Sequence, residues 1–209
     1  MNKFYIQIVL FLLSTSLYMN NKTLAIEPAP GEDATPESPY HYLTMDGYEF
    51  FNNNPNSSMP FYNKKHQDYI NIEKIHFKVD DPDDYNEVIN MLWDPDYAIF
   101  SILTLLKRYF YALATKVEIS ENKAIIVMAS ANIIDHNHKN KKYFENKIIE
   151  NANLFQAEID SEDDIRKGKL KKTLANLIGY LIEKRDRYIH IIYVDSIERH
   201  SYGFLNVFL

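Results

Sequence analysis

The chain has 209 residues, a formal net charge of −6, 46% hydrophobic residues and no cysteine. That length is enough for one domain with a sizeable core, and the acidic balance argues against a polyanion-binding role, which needs clustered Lys and Arg. With Cys at 0, thiol catalysis and disulfide cross-links are excluded, so stability must come from burial.

In chain order, Asn2-Lys3 precedes an apolar stretch, Phe4 to Met19, and Thr23-Leu24-Ala25 supplies small residues where a signal peptidase cuts. The stretch is 16 residues, short of the roughly 20 that a membrane span requires. Residues 1–25 therefore read as a cleaved secretory signal, with the mature chain starting near Ile26. Residues 26–44 read as a disordered linker, because Glu27–Pro39 is rich in Pro, Ala, Glu, Ser and Thr and lacks apolar periodicity. The folded unit is expected over 45–209. Tyr48–Phe51, Pro60–Lys65 and Ile72–Val79 read as strands, with Ile75, Phe77 and Val79 on one face. Asn56-Ser57-Ser58 matches the N-glycosylation pattern in a polar loop.

Asp80-Asp81-Pro82-Asp83-Asp84 places carboxylates and a proline where a helix begins, so this cluster reads as a cap. It lacks the ligand spacing and turn glycine of a calcium loop. Tyr85, Val88, Ile89 and Leu92 then recur at helical spacing until Pro95 stops the pattern. Tyr109–Ile119 and Ala124–Ile134 read as long strands joined by a hairpin at Ser120-Glu121-Asn122-Lys123. A further strand is expected near Ile148–Ile159, and a short helix or charged crossover from Ser161 to Lys172. A closing hairpin, Ile178–Lys184 with Tyr188–Ile197, turns across Arg185-Asp186-Arg187.

The helix ending Asn90-Met91-Leu92-Trp93-Asp94-Pro95-Asp96, followed by Gly179-Tyr180-Leu181-Ile182-Glu183 and the Tyr188–Ile197 strand, resembles a StAR-related lipid-transfer (START) domain. Three runs sharpen the likeness: Tyr109-Phe110-Tyr111-Ala112-Leu113-Ala114-Thr115-Lys116, Ile126-Val127-Met128-Ala129-Ser130-Ala131-Asn132, and Ile159 through Lys169. With the leader, they resemble the fam-a proteins of rodent malaria parasites (Plasmodium), a multigene family of secreted START-like proteins. The resemblance implies an α+β helix-grip fold, in which a curved antiparallel sheet grips a long C-terminal helix with one lipid between them. It also implies phosphatidylcholine as cargo, and secretion to the parasitophorous vacuole or export to the host erythrocyte. Lys22-Thr23-Leu24-Ala25-Ile26-Glu27 resembles a relaxed parasite export motif. The fold is expected in shortened form. Only 11 residues separate Asp96 from Arg108, where a START domain runs two further strands, and only Ile197–Leu209 follows Ser196, where the long helix belongs.

Tyr111, Leu113, Met128, Tyr180, Ile182 and Tyr193 are the candidate lipid-binding residues, placed on a concave face where apolar walls hold acyl chains and phenols orient a headgroup. Core packing explains each of them equally well. Trp93 lines such a pocket or anchors its helix to the sheet. His136-Asn137-His138 with Asp135 offers a weak metal-loop pattern, and a solvated turn accounts for it. Glu183 and Asp195 form a conceivable acid–base pair but read better as partners of Lys184, Arg185 or Arg187. Lys167-Gly168-Lys169-Leu170-Lys171-Lys172 reads as a solvated charged face or as a contact for anionic headgroups. No nucleophile, metal set or phosphate loop stands out, so neither an enzyme nor a cofactor is expected. The expected function is phosphatidylcholine binding or transfer with transient membrane contact. The alternative is a secreted surface-antigen or interaction protein on a START scaffold without lipid activity.

Overall fold

The computed structural model describes residues 39–50, 60–66, 70–94, 108–139 and 143–198. The expected signal segment, the Asn56 sequon, residues 97–107 and residues 199–209 lie outside these residues. The α+β class expected from the sequence is the class observed. Seven strands form one antiparallel sheet in the order β1 (Glu49–Phe50), β2 (Phe61–His66), β3 (Ile70–Val79), β11 (Ile189–Ile197), β10 (Ala175–Lys184), β6 (Lys123–Ala129) and β5 (Leu113–Ser120). The expected hairpins β5–β6 and β10–β11 are both present, and Arg185 N–H closes the second by donating to Tyr188 O at 2.9 Å.

Burial on both faces explains the near-continuous apolar run of β10, which is buried from Ala175 to Ile182. One face carries Ile126, Met128, Ile178, Tyr180, Ile182 and Ile191, packed with Tyr85, Val88 and Ile89 of helix α2 (Tyr85–Trp93). The other carries Ile125, Val127, Leu177, Leu181 and Val194, packed with Tyr42 and Leu43 of helix α1 (Pro39–Thr44) and with Ile148, Ile149 and Ala152. Gly179 lets α1 cross closely, since a Cβ there would stand 3.2 Å from Leu43 Cδ2 and the leucine would have to give by a few tenths of an ångström.

Helix α2 starts as the acidic cluster predicts. Asp81 accepts a hydrogen bond from Asp83 N–H at 2.9 Å, and Pro82 opens a single 3-10 turn, Pro82–Asp84, that leads into the helix. Helix α1 corrects the expected linker, whose last six residues, Pro39–Thr44, are helical, with Leu43 fully buried. So short a helix shows no periodicity in sequence, and its two core residues are adjacent. Tertiary contacts alone reveal it. The connection to β1 is tied down as well. Tyr48 Oη donates to Tyr42 O at 2.9 Å, and Lys74 Nζ lies 4.3 Å from the Tyr48 ring centre while donating to Met45 O at 3.2 Å. Burial pushes the Lys74 ammonium down to about 8.

Two strand expectations need correction. The Tyr109–Ile119 stretch breaks into β4 (Arg108–Phe110) and β5, and Ala124–Ile134 breaks into β6 and β7 (Asn132–Ile134). The break lies at Ser130. Its hydroxyl donates to Tyr111 O at 3.3 Å and accepts from Ala175 N–H at 3.0 Å, while its own N–H donates to Ala175 O at 2.8 Å. Beyond it β4 pairs parallel with β9 (Lys171–Thr173), and β7 pairs parallel with β8 (Gln156–Glu158). The expected strand Ile148–Ile159 is mostly a turn and a 3-10 helix, Glu150–Leu154, with only β8 extended. Asn146 redirects the chain there by capping the N–H groups of Ile148 and Ile149. The Ser161–Lys172 segment contains the short helix α3 (Asp163–Arg166).

Candidate functional site

Strand register decides which candidate residues share a face. Tyr180 lies opposite both Tyr193 and Ile126, Ile178 opposite Met128, and Ile182 opposite Ile191 and Ala124. Met128, Tyr180, Ile182 and Tyr193 therefore meet on the face that α2 covers. The Tyr180 and Tyr193 rings lie 5.0 Å apart. Leu113 does not join them. It pairs with Ala129 and so points to the opposite face, and Ala114, opposite Met128, holds the expected place. A displacement of one residue exchanges faces completely. Tyr111 also departs, since it lies between β4 and β5 and packs with Tyr109, Ala131, Ile133 and Ile165 in a satellite core. Trp93 is half-buried against the α2 side, with the Lys116 ammonium 6.0 Å from its ring centre.

At one end this face turns polar. Glu73 and Asp195 are cross-strand partners on β3 and β11, and both are buried. Tyr193 Oη donates to Asp195 Oδ2 at 2.9 Å. Burial, and secondarily the Asp195 charge, hold the Tyr180 phenol well above the usual tyrosine range, so it stays a neutral hydroxyl. A cavity of about 250 Å³ opens beside the acids, lined by Asn71, Glu73, Lys147, Asn176, Asp195 and Ser196 among others. Period-2 alternation carries a signal for Glu73, since it stands two residues before Ile75 on the same face as Phe77 and Val79. The depth of the acid and its pairing with Asp195 follow from the β3–β11 register.

The remaining candidates disperse. Glu183 bridges Lys123 at 2.8 Å and also pairs with Arg185, while Asp195 lies opposite Ile178. Five residues along β10 set the two carboxylates roughly 16 Å apart on opposite faces, so they form no acid–base pair. In the His136–His138 loop, His136 Nε2 contacts Glu158 at 3.0 Å, His138 Nδ1 meets Arg166 O at 2.6 Å, and Asn137 is buried, donating to Tyr109 Oη at 3.0 Å. No three potential metal ligands cluster among the described residues. The lysine run is largely neutralised. Lys167 pairs with Asp163 at 2.6 Å, Lys169 with Asp164 at 2.8 Å and Lys172 with buried Asp135 at 2.9 Å.

On the opposite face His76 Nδ1 and His190 Nε2 stand 3.3 Å apart. Burial first lowers both imidazoles below their ordinary 6.5; the charges of His190 and Lys74 add to this at His76, while at His190 the charge of Glu183 opposes it and those of Arg185 and Lys78 add to it. The unfolded chain takes up these protons first as pH falls, so stability declines as pH drops below about 6.5 and the loss levels off below the folded values. Urea midpoints measured between pH 7.5 and 5 should show this decline, and His76→Gln should reduce it. A slope unchanged in the variant would count against this origin.

No family model matches the chain, and no curated protein matches it. Two human solved structures are similar. The StarD13 (DLC2) lipid transfer and protein localization domain aligns at TM-score 0.46 and 12% identity, over 78% of this chain and 81% of that one. STARD10 aligns at TM-score 0.43 and 10% identity, over 80% of this chain and 68% of that one. The likeness is one of fold.

Proposed function

We propose that the protein is a secreted, START-like lipid binder that carries phosphatidylcholine, and that it belongs with the fam-a proteins its sequence runs resemble. The observation that carries this reading is the convergence of Met128, Tyr180, Ile182 and Tyr193 on one apolar face that ends in the buried Glu73–Asp195 pair and its cavity. Acyl chains would lie along the apolar part beneath α2. The leader and the export-like Lys22–Glu27 stretch support delivery to the parasitophorous vacuole or host erythrocyte.

One observation favours the second reading, an interaction protein on a START scaffold without cargo. Ile126 and Ile182 are fully buried beneath α2, and the 250 Å³ cavity is smaller than the roughly 300–1,000 Å³ typical of small-molecule sites. Two acyl chains of roughly 16 carbons bring on the order of 20 kcal/mol of transfer energy at ~0.8 kcal/mol per CH₂. A carrier must match most of that, so α2 has to lift from the sheet to admit them. Lipid extraction of the purified full chain, followed by mass spectrometry, separates the readings. Co-purifying phosphatidylcholine, together with its transfer between vesicles, is the expected result. Lipid-free protein that transfers none would overturn the carrier reading in favour of the interaction protein.

A further inference from the structure

We propose that the Tyr85 hydroxyl is the polar anchor of the apolar face, donating its hydrogen bond to an acyl ester carbonyl of the bound phospholipid; this rests on the lipid-binding reading above. Tyr85 opens α2 and is 6% exposed, in one cluster with Val88, Ile89, Ala124, Ile182 and Ile189. Its hydroxyl is buried without any hydrogen-bond partner, and among the described residues only Thr173, on the separate β4–β9 pair, shares that condition. Buried hydroxyls normally find partners, because an orphan forfeits its hydration and gains nothing in return. Phenylalanine would fill the same space without that loss. The oxygen is therefore suited to a group that arrives with a ligand.

The surroundings define the ligand chemistry. Burial, and secondarily the charges of Glu118 and Glu183, hold the phenol above its ordinary range, so it remains an O–H donor. Glu118 lies opposite Ala124 and so on the same face of the sheet, where it would repel a free carboxylate and attract a quaternary ammonium. An uncharged carbonyl accepts the hydrogen bond without that repulsion. In an apolar setting such a bond counts for more than it does in water.

The test uses the full chain, its Y85F variant, and vesicles of dioleoyl phosphatidylcholine or of the diether analogue that lacks only the two carbonyl oxygens. The unaltered chain should prefer the diester about tenfold, the value of one buried hydrogen bond. In Y85F the diester should fall to the diether's level, with diether transfer unchanged and the lipid-free Tm equal or higher. Diester preference retained in Y85F, absence of preference in the unaltered chain, or a lowered Tm revealing a protein partner would each overturn the assignment while leaving lipid binding intact. Transfer of neither lipid by the unaltered chain would overturn the lipid-binding reading, and the assignment with it.

Discussion

Asn146→Asp should destabilise the protein by more than about 4 kcal/mol at neutral pH, more than Asn146→Ala, although it changes a single atom. Asn146 is fully buried. Its amide nitrogen donates to Ser130 O at 3.1 Å and Asn176 O at 2.9 Å, and its Oδ1 accepts from Ile148 N–H at 3.0 Å and Ile149 N–H at 2.8 Å. Alanine removes four bonds at about 1 kcal/mol each and leaves buried backbone groups unpaired. Aspartate keeps the acceptor but turns a charged oxygen onto two carbonyl oxygens, and burial without a counter-charge is the costlier fault. That carboxyl would be held above its unfolded value near 3.9. The folded state then binds the extra proton, so the loss grows as pH rises from about 4 to 7. Urea denaturation of both variants at pH 4 and pH 7 measures this. An aspartate variant no worse than alanine, or insensitive to pH relative to the parent, would count against the hydrogen-bond assignment.

Lys172→Met should cost roughly 3–5 kcal/mol, the usual penalty for breaking a buried pair by removing one partner, and should lower Tm by about 10 °C. Lys172 and Asp135 are 10% and 4% exposed at their side chains. The ammonium also donates to Ile133 O at 2.8 Å, and Asp135 accepts from Tyr109 Oη at 2.7 Å. Methionine fills the volume but leaves Asp135 charged and desolvated, with a phenol as its remaining side-chain donor in this network. Adding Asp135→Asn to Lys172→Met removes the uncompensated charge and should recover a substantial part of the loss, the signature of coupling in a double-mutant cycle. Strict additivity in calorimetry would show that the pair contributes little. This network joins β4, β7 and β9, so its loss should loosen the satellite core of Tyr109, Tyr111, Ile133 and Ile165 before the main sheet.

Local pattern by itself determined the helix Tyr85–Trp93 with its acidic cap, the β5–β6 and β10–β11 hairpins, and the apolar alternation of Ile75, Phe77 and Val79. Each of these signals is short-range. A cap works within four residues and a hairpin turn within two or three, and strand alternation needs no partner to be visible. The candidate site was legible in part for the same reason. Met128, Tyr180, Ile182 and Tyr193 sit on long strands, and the register of those strands brings the four to one face. Leu113 was lost because β5 begins after an irregular Tyr111-Ala112 step, and the parity of a strand cannot be counted across a break of unknown geometry. Helix α1, the turn at Asn146 and the departure of the chain at Ser130 were decided by tertiary structure alone. In each case the deciding partners lie far along the chain. Leu43 meets Gly179, Asn146 reaches Asn176, and Ser130 reaches Ala175. The pairing of Glu73 with Asp195 across 122 positions is of the same kind. A carboxylate on an otherwise apolar strand can be read from sequence, but the neighbour that makes it half of a buried acidic pair exists only once β3 and β11 have found their register.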